Sequence, residues 1–328
     1  MEQRKLGKTD MQVNVLGYGG AEIGLEATAE SNENVSTLLN SSIDEGLNVI
    51  DTAECYGNSE ELIGKAVSHR RKEFYLFSKC GHPLGRQSSS EGMPEEDWRP
   101  KSLLESIQRS LIRLKTDYLD LVQLHSCKNE ILLQGEVIET LQRAVDKGYT
   151  RYIGYSGDNQ EAIFAATCGG FDCLQTSISI ADQSGIDTAL SLAKENNLGV
   201  IAKRPIANVA WRFSTLPPLE YHHTYWRRLK VLKYPFIKDG LKHSVKTALR
   251  FTLSVPGVHT AIVGTLTNGR WRENSDSLQD GLMSEEEFNV IRNHWEEFSE
   301  PTWVGPVSYT HLRAHETRHD LVCRLLLE

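Results

Sequence analysis

The sequence predicts an α/β protein whose parallel strands close into a (β/α)8 TIM barrel, with a β-hairpin at its N-terminus. Three observations carry that expectation. Short β-branched or apolar runs recur eight times along the chain. Amphipathic helical stretches lie between most of them, as crossovers between parallel strands require. Acidic, basic, phenolic and imidazole side chains stand at or just past the ends of successive runs, where a barrel places its chemistry. A doubly wound open sheet is the competing topology.

The elements follow in order. "KLGKTDMQV" sets two short runs around a polar turn, a hairpin suited to plug the barrel bottom. The eight runs are then "NVLGYG", "LNVID", "EFYLFSK", "YLDLVQLH", "RYIGYS", "FDCLQTSI", "LGVIAK" and "VHTAIVG". Ahead of the fourth run, Leu103, Ile107, Leu111 and Leu114 keep the 3-and-4 spacing of one helix face, and Ile138, Leu141 and Val145 repeat it after that run. "GYGGAEIG" is Gly-rich but fails the G-x-G-x-x-G pattern, because Glu22 stands at its last position. It reads as the first strand and its loop.

After the seventh run comes "RPIANVAWRFSTLPPLEYHHTYWRRLKVLKYPF", read as one long loop. A structureless loop of that length is usually functional. Its Trp211, Phe213, Tyr221, Tyr225 and Trp226 fit an apolar substrate wall or an oligomer contact. No internal repeat or low-complexity linker appears, so residues 1–305 are expected to form one domain. From residue 306 the character changes: "PVSYTHLRAHETRHDLVCRLLLE" resembles a translated adapter or vector scar, and is set aside as a non-native tail.

Composition narrows the function. The net charge of −8 argues against a nucleic-acid footprint, which wants a basic patch. No run of about 18 apolar residues exists, so no membrane span is expected. The opening "MEQRKLGKTD" lacks a signal-peptide core, and the six cysteines show no disulfide or zinc-knuckle spacing. A reduced, cytoplasmic protein is expected, with its oligomeric state left open.

The strand ends suggest chemistry. The second strand ends at Asp51, with Tyr56 on the loop beyond; the third ends at Lys79 and the fourth at His125. Alone, each has an ordinary reading as a cap, a solvated charge, a packed ring or a structural histidine. Drawn from three successive strands, they converge on one mouth. A free tyrosine has a pKa of about 10, and a nearby ammonium lowers it. Lys79 is placed to supply that ammonium, with Asp51 holding it in position and protonated. His125 is placed to donate a hydrogen bond to a substrate oxygen. A tuned phenol facing a polarised carbonyl suits proton delivery to an alkoxide as hydride arrives from a cofactor. Reduction is then expected to run faster on the acid side of neutrality.

"DTAECYG", "FSKCG", "LIRLKTDYLDLVQLH" and "GYTRYIGYSGDN" resemble the aldo-keto reductases, NADPH-dependent (β/α)8 barrels, over about Lys5 to Phe298. The resemblance implies carbonyl reduction with NADPH, NADH being the lesser alternative, and a small carbonyl compound as substrate. It implies Tyr56 as general acid/base, Lys79 and Asp51 as its tuning pair, and His125 as carbonyl orienter. On the cofactor side it implies Ser156 and Gln175 at the nicotinamide carboxamide, with Gly157 where the family commonly has Asn. Gly20 and Ala21 are expected near the nicotinamide ribose, with Asp51 beside them. Lys203 stands where many members stack an aromatic ring on the nicotinamide, with Arg204 next to it; such cations suit a pyrophosphate or an acidic substrate.

"IVGTLTNGRWRENSDSL" resembles the adenosine-phosphate segment, with Gly264, Thr265 and Gly269 leading into a helix near Arg270. Arg270 is expected to take a 2′-phosphate by a forked contact. Asn274 and Glu273 are expected to face the adenine. A lysine often found here is absent. Two rival functions differ in class. Cys55, Cys80, His82, His125 and Cys127 at strand ends suit a metal-dependent hydrolase, although no metal is expected. A barrel that binds NADPH only as a sensor need not keep Lys79 and His125.

Overall fold

The computed structural model describes residues 1–25, 29–83 and 96–305; the suspected tail lies outside them. Strands β1 (Gln3–Lys5) and β2 (Gln12–Asn14) pair antiparallel as the expected hairpin. Strands β3 (Leu16–Gly19), β4 (Val49–Asp51), β5 (Tyr75–Cys80), β6 (Leu119–His125), β7 (Thr150–Ser156), β8 (Cys173–Ser177), β9 (Gly199–Lys203) and β10 (Val258–Val263) close into a parallel barrel, β10 returning to β3. Each of the eight runs supplies one strand, and the open-sheet alternative is excluded.

Side chains alternate between the two faces of a strand, so inward residues climb the barrel two positions at a time. At the bottom, Val49, Phe77, Leu121, Cys173 and Ile201 pack with Leu6, Met11 and Val13 of the hairpin. Two residues further along the same strands stand Asp51, Lys79, Gln123, Gln175 and Lys203, and His125 follows Gln123. The parity that makes the bottom apolar therefore makes the mouth polar. Register aligns these rows across neighbours: Lys79 with Gln123, His125 with Ser156, and Ser156 with Gln175.

The hairpin is a plug, as expected. Leu6, Met11 and Val13 are wholly buried, and each such side chain is worth about 1.5–3 kcal/mol of burial. At its tip, Gly7 has φ +53, and a Cβ there would meet the Gly199 backbone nitrogen at 2.2 Å. Only glycine suits both demands.

The expected helix faces form. Pro100–Leu114 starts with proline in its first turn and ends at Lys115 in the left-handed region; Leu103, Ile107 and Leu114 are buried and Leu111 partly so. In Glu136–Asp146 the buried face is Val137, Thr140, Leu141 and Ala144, with Ile138 and Val145 at its edges. The main core fills the shell between barrel and helices.

The segment after β9 departs from the expectation of a structureless loop. It holds short 3-10 turns at Ala207–Arg212, Glu220–His222 and Pro235–Asp239, and an α-helix at His223–Leu232. Tyr225, Arg228, Leu229 and Leu232 are the buried face of that helix, at i, i+3, i+4 and i+7. An arginine within the stripe, and prolines on both sides, hide the period in the sequence. Among the described residues, no helix is long and apolar enough to cross a membrane.

Candidate active site

A cavity of about 650 Å³ opens at the carboxyl ends of the strands. Its floor includes Asp51, Tyr56, His125, Ser156, Gln175 and Lys203. Lys79 lies just beneath, 3% exposed. Its Nζ donates to Asp51 Oδ2 at 2.5 Å and to the Thr52 carbonyl at 2.8 Å, and lies 5.0 Å from the Tyr56 ring centroid. The His125 ring stands edge-on to Tyr56, with centroids 5.7 Å apart and planes at 85°. The four strand-end residues therefore do meet at one mouth.

Asp51 is the hub of this floor. Its second oxygen accepts from Gln175 Nε2 at 2.9 Å and from Gln123 Nε2 at 3.3 Å. Both carboxylate oxygens are thus satisfied, which a buried ion pair needs. Gln123 is not among the residues expected from the sequence. Its signal was parity: it sits two residues before His125 on the same inward face.

The tuning of Tyr56 runs opposite to expectation. Burial pushes its phenol well above the ordinary value, the Cys55 thiol, Asp51 and Tyr221 add to the rise, and Arg204 opposes it. Lys79 is not among the main influences on it, its charge being closed on by Asp51 at 2.5 Å. Tyr56 is held as a protonated phenol.

Cys55, next in sequence, touches His125: Sγ lies 3.3 Å from Nδ1. Burial pushes this thiol up to about 12, so at neutral pH it carries its proton and is able to donate it to Nδ1. With the thiol as donor, the His125 ring proton sits on Nε2. His82 stacks on His125 at 5.1 Å, and donor atoms of Cys55, His82 and His125 lie within 4.8 Å of one another. Donors on one tetrahedral zinc sit roughly 3.3–3.8 Å apart at ordinary bond lengths. Cys80 points its sulfur at the Gln123 carbonyl instead, and Cys127 at that of Lys128.

Ser156 Oγ donates to Gln175 Oε1 at 2.7 Å, so the two expected carboxamide ligands stand together on the floor and are engaged with each other. Gly157 has a structural reason: a Cβ there would meet the Tyr155 hydroxyl at 2.3 Å, and that hydroxyl donates to the Cys127 carbonyl at 3.1 Å. Tyr155 fills the room an asparagine would need. Gly20 donates its N–H to the Asp51 carbonyl at 2.7 Å, and a Cβ on it would meet Ser59 Oγ at 2.9 Å. Gly20 and Ala21 both line the cavity.

Lys203 reaches Asp158 at 3.2 Å. Burial raises the Asp158 carboxyl, but Lys203 and Arg204 outweigh it and hold it below the usual range. Asp158 also accepts from Thr176 Oγ1 and from the Ser177 N–H and hydroxyl. Its position before the helix Asn159–Thr167 reads as an ordinary N-cap, which hides this contact at the level of residue types. Of the five loop aromatics that fit a substrate wall or an oligomer contact, Tyr221 alone lines the cavity. Tyr225 is buried and donates to Asp182 at 3.1 Å, Trp226 donates to the Phe213 carbonyl at 3.0 Å, and Trp211 packs on the core.

The far end of the cavity is formed by Gly264, Thr265, Arg270, Glu273 and Asn274. Arg270 opens the helix Arg270–Asp276 and is held by Glu273, Nη1 to Oε2 at 2.7 Å. Both are about half exposed, so the pair is worth at most about 1 kcal/mol. Asn274 is buried against the cavity. Glu22, also unforeseen, crowds Gly264: a Cβ on that glycine would meet its carboxylate at 1.6 Å.

Residues 15–296 match the model of the aldo/keto reductase family. The chain is 29% identical to the uncharacterized oxidoreductase YqkF of Bacillus subtilis, over 90% of this chain and 96% of that one. It is 26% identical to L-galactose dehydrogenase of Arabidopsis thaliana, over 94% and 98%, and 26% identical to the NADH-specific methylglyoxal reductase of Escherichia coli, over 63% and 68%. Among solved structures it resembles the holo form of aldo-keto reductase AKR11C1 from Bacillus halodurans, with a TM-score of 0.74 at 25% identity over 90% and 96%. The fold is also that of an aldo/keto reductase from Klebsiella pneumoniae in complex with NADP and acetate, TM-score 0.68 at 24% identity over 90% and 94%.

Proposed function

Because the chain belongs to the aldo/keto reductase family, we propose that it reduces aldehydes or ketones to alcohols with NADPH, Tyr56 giving the proton. The observation that supports this most is the meeting of Tyr56, His125 and the Lys79–Asp51 pair at the floor of one cavity.

The cavity suits a dinucleotide at both ends. Ser156 and Gln175 offer a hydroxyl and an amide for a carboxamide, and Gly20 and Ala21 line the same cavity. At the other end Arg270 offers a guanidinium that its weak surface partner Glu273 releases readily. The 2′-phosphate of NADPH would replace that carboxylate, which favours NADPH over NADH; Glu273 opposes the same preference. Gly264, Thr265 and Asn274 would line the adenosine. When bound, the cofactor supplies the hydride.

The residues of the chain do the rest. His125 donates its Nε2 proton as a hydrogen bond to the carbonyl oxygen, which polarises the carbon. The Tyr56 hydroxyl transfers its proton to that oxygen as the carbon is reduced, giving the alcohol and a phenolate. Lys79 and Arg204 place positive charge near the phenolate until it is reprotonated. Asp51 holds Lys79 and both glutamines in register.

The reading is tested by NADPH oxidation with a panel of aldehydes and ketones. Turnover with any member, matched mole for mole by alcohol, is the expected result. Tight NADPH binding without turnover on the whole panel would mark a binding protein instead.

A further inference from the structure

We propose that Cys55, His82 and His125 form a binding site for zinc, and that zinc seated there inhibits carbonyl reduction by drawing His125 off the substrate. The ion acts as an inhibitor, not as a resident cofactor. The binding stands on its own; the inhibition rests on the reductase reading above.

The three residues come from three successive strand ends. Cys55 lies on the loop after β4, His82 just past the end of β5, and His125 at the end of β6. A donor atom of each lies within 4.8 Å of the other two. Cys55 Sγ and His125 Nδ1 are already 3.3 Å apart, and two donors on one tetrahedral zinc stand roughly 3.3–3.8 Å apart. Both histidines are buried and Cys55 is half-buried, next to Tyr56 on the cavity floor, so the cavity is the way in. One thiolate and two imidazoles suit zinc, whereas magnesium and calcium prefer oxygen ligands. Three protein ligands leave the fourth position to water. The Glu96 carboxylate stands near enough to feel the charge of His82, and a carboxylate beside a ligating histidine supports a bound metal. On binding, the Cys55 S–H bond breaks, a zinc–sulfur bond forms, and the proton leaves to solvent. Nothing is oxidised or reduced.

Inhibition follows from the geometry. A metal lies in the plane of each imidazole that holds it. His82 and His125 are stacked, with centroids 5.1 Å apart and planes at 25°, so the rings must turn to share one ion. Donors spread over as much as 4.8 Å must also close up, by up to about 1 Å. His125 is the group proposed to polarise the carbonyl, and a misplacement of about 1 Å can cost about 10²-fold in rate.

Cobalt(II) is the spectroscopic stand-in for zinc. Added to the protein under anaerobic, reducing conditions, it should give a near-ultraviolet thiolate-to-cobalt band and the intense visible bands of a tetrahedral ion. Zinc should erase both. Cys55→Ser should lose the thiolate band, and a change at the exposed Cys168, Cys168→Ser, should keep it. His82→Phe keeps a flat ring against His125 and Trp98, and His82→Gln guards against a misfit of that ring. Both should weaken cobalt binding about tenfold or more. In NADPH oxidation each protein is compared with its own metal-free rate. Zinc should slow the unaltered protein about tenfold or more, magnesium should not, and both His82 variants should need about tenfold more zinc for half inhibition. No thiolate band, or one that persists in Cys55→Ser, would overturn the site. Zinc sensitivity equal in the His82 variants, or bound zinc with unchanged turnover, would overturn the inhibition. The cobalt spectrum needs no turnover. A protein that shows the band, loses it in Cys55→Ser and reduces no carbonyl would sink the reductase reading and the inhibition with it, while the site stands.

Discussion

Lys79 Nζ and Asp51 Oδ2 lie 2.5 Å apart with both side chains buried, and this pair is the support on which the rest of the mouth is built. Removing one member leaves the other charge buried without compensation. Asp51→Asn is expected to destabilise the fold by about 3–5 kcal/mol, read from chemical denaturation, and to abolish carbonyl reduction in whatever fraction folds. A variant of unchanged stability would mean that the pair is solvated in solution.

The direction of the Tyr56 shift fixes a pH profile. Donation needs the protonated phenol, and a raised pKa keeps it protonated from neutrality upward. Reduction at saturating NADPH should therefore be level between about pH 6 and 9, and fall only near or beyond the ordinary tyrosine value of about 10. Oxidation of an alcohol, which needs the phenolate, should rise with pH over the same range. A reduction rate that fell through pH 7 would restore Lys79 as a charge that lowers the phenol, as the sequence alone suggests.

Cys55 Sγ lies 3.3 Å from His125 Nδ1; as the donor of that hydrogen bond it would keep the ring proton on Nε2. Cys55→Ala should lower kcat roughly three- to tenfold, in line with the loss of one neutral hydrogen bond, with little change in KM for NADPH. Cys55→Ser restores a donor and should recover most of the loss. Nitrogen chemical shifts of His125 should report a tautomer mixture in the alanine variant alone; an unmixed Nε2–H tautomer there would remove Cys55 from the account.

On the proposed reading, Arg270 and Glu273 would act in opposite senses on a 2′-phosphate. Arg270→Ala should raise KM for NADPH at least tenfold and leave KM for NADH within threefold. Glu273→Gln should lower KM for NADPH. Equal effects on both nucleotides would take Arg270 away from the phosphate.

Much of this architecture is written locally. Eight runs with helical stretches between them lead to eight strands, because period-two burial and strand-end residues are properties of short segments. Asp51, Lys79 and His125 are legible for the same reason: each stands at a strand's end or one residue before it, and closure of the barrel brings strand ends together. What was not legible depends on closure itself. Gln123 and Asp158 gain their meaning from partners on other strands, and Gly157 from the hydroxyl of Tyr155 folding back over it. The sign of the Tyr56 shift turns on how deeply the phenol is buried and on how closely Asp51 neutralises Lys79; neither is visible in residue types. The helix His223–Leu232 was hidden because its buried stripe includes Arg228, which reads as a surface residue until its carbonyl partner Ala181 is seen.

The most direct measurement is steady-state carbonyl reduction by Tyr56→Phe, with NADPH binding followed in parallel by fluorescence. If Tyr56 gives the proton, kcat falls by about 10²–10⁴-fold while the dissociation constant for NADPH stays within a few fold. Turnover equal to that of the unaltered protein would contradict the account, because the phenol at the centre of the mouth would then have no part in the reaction.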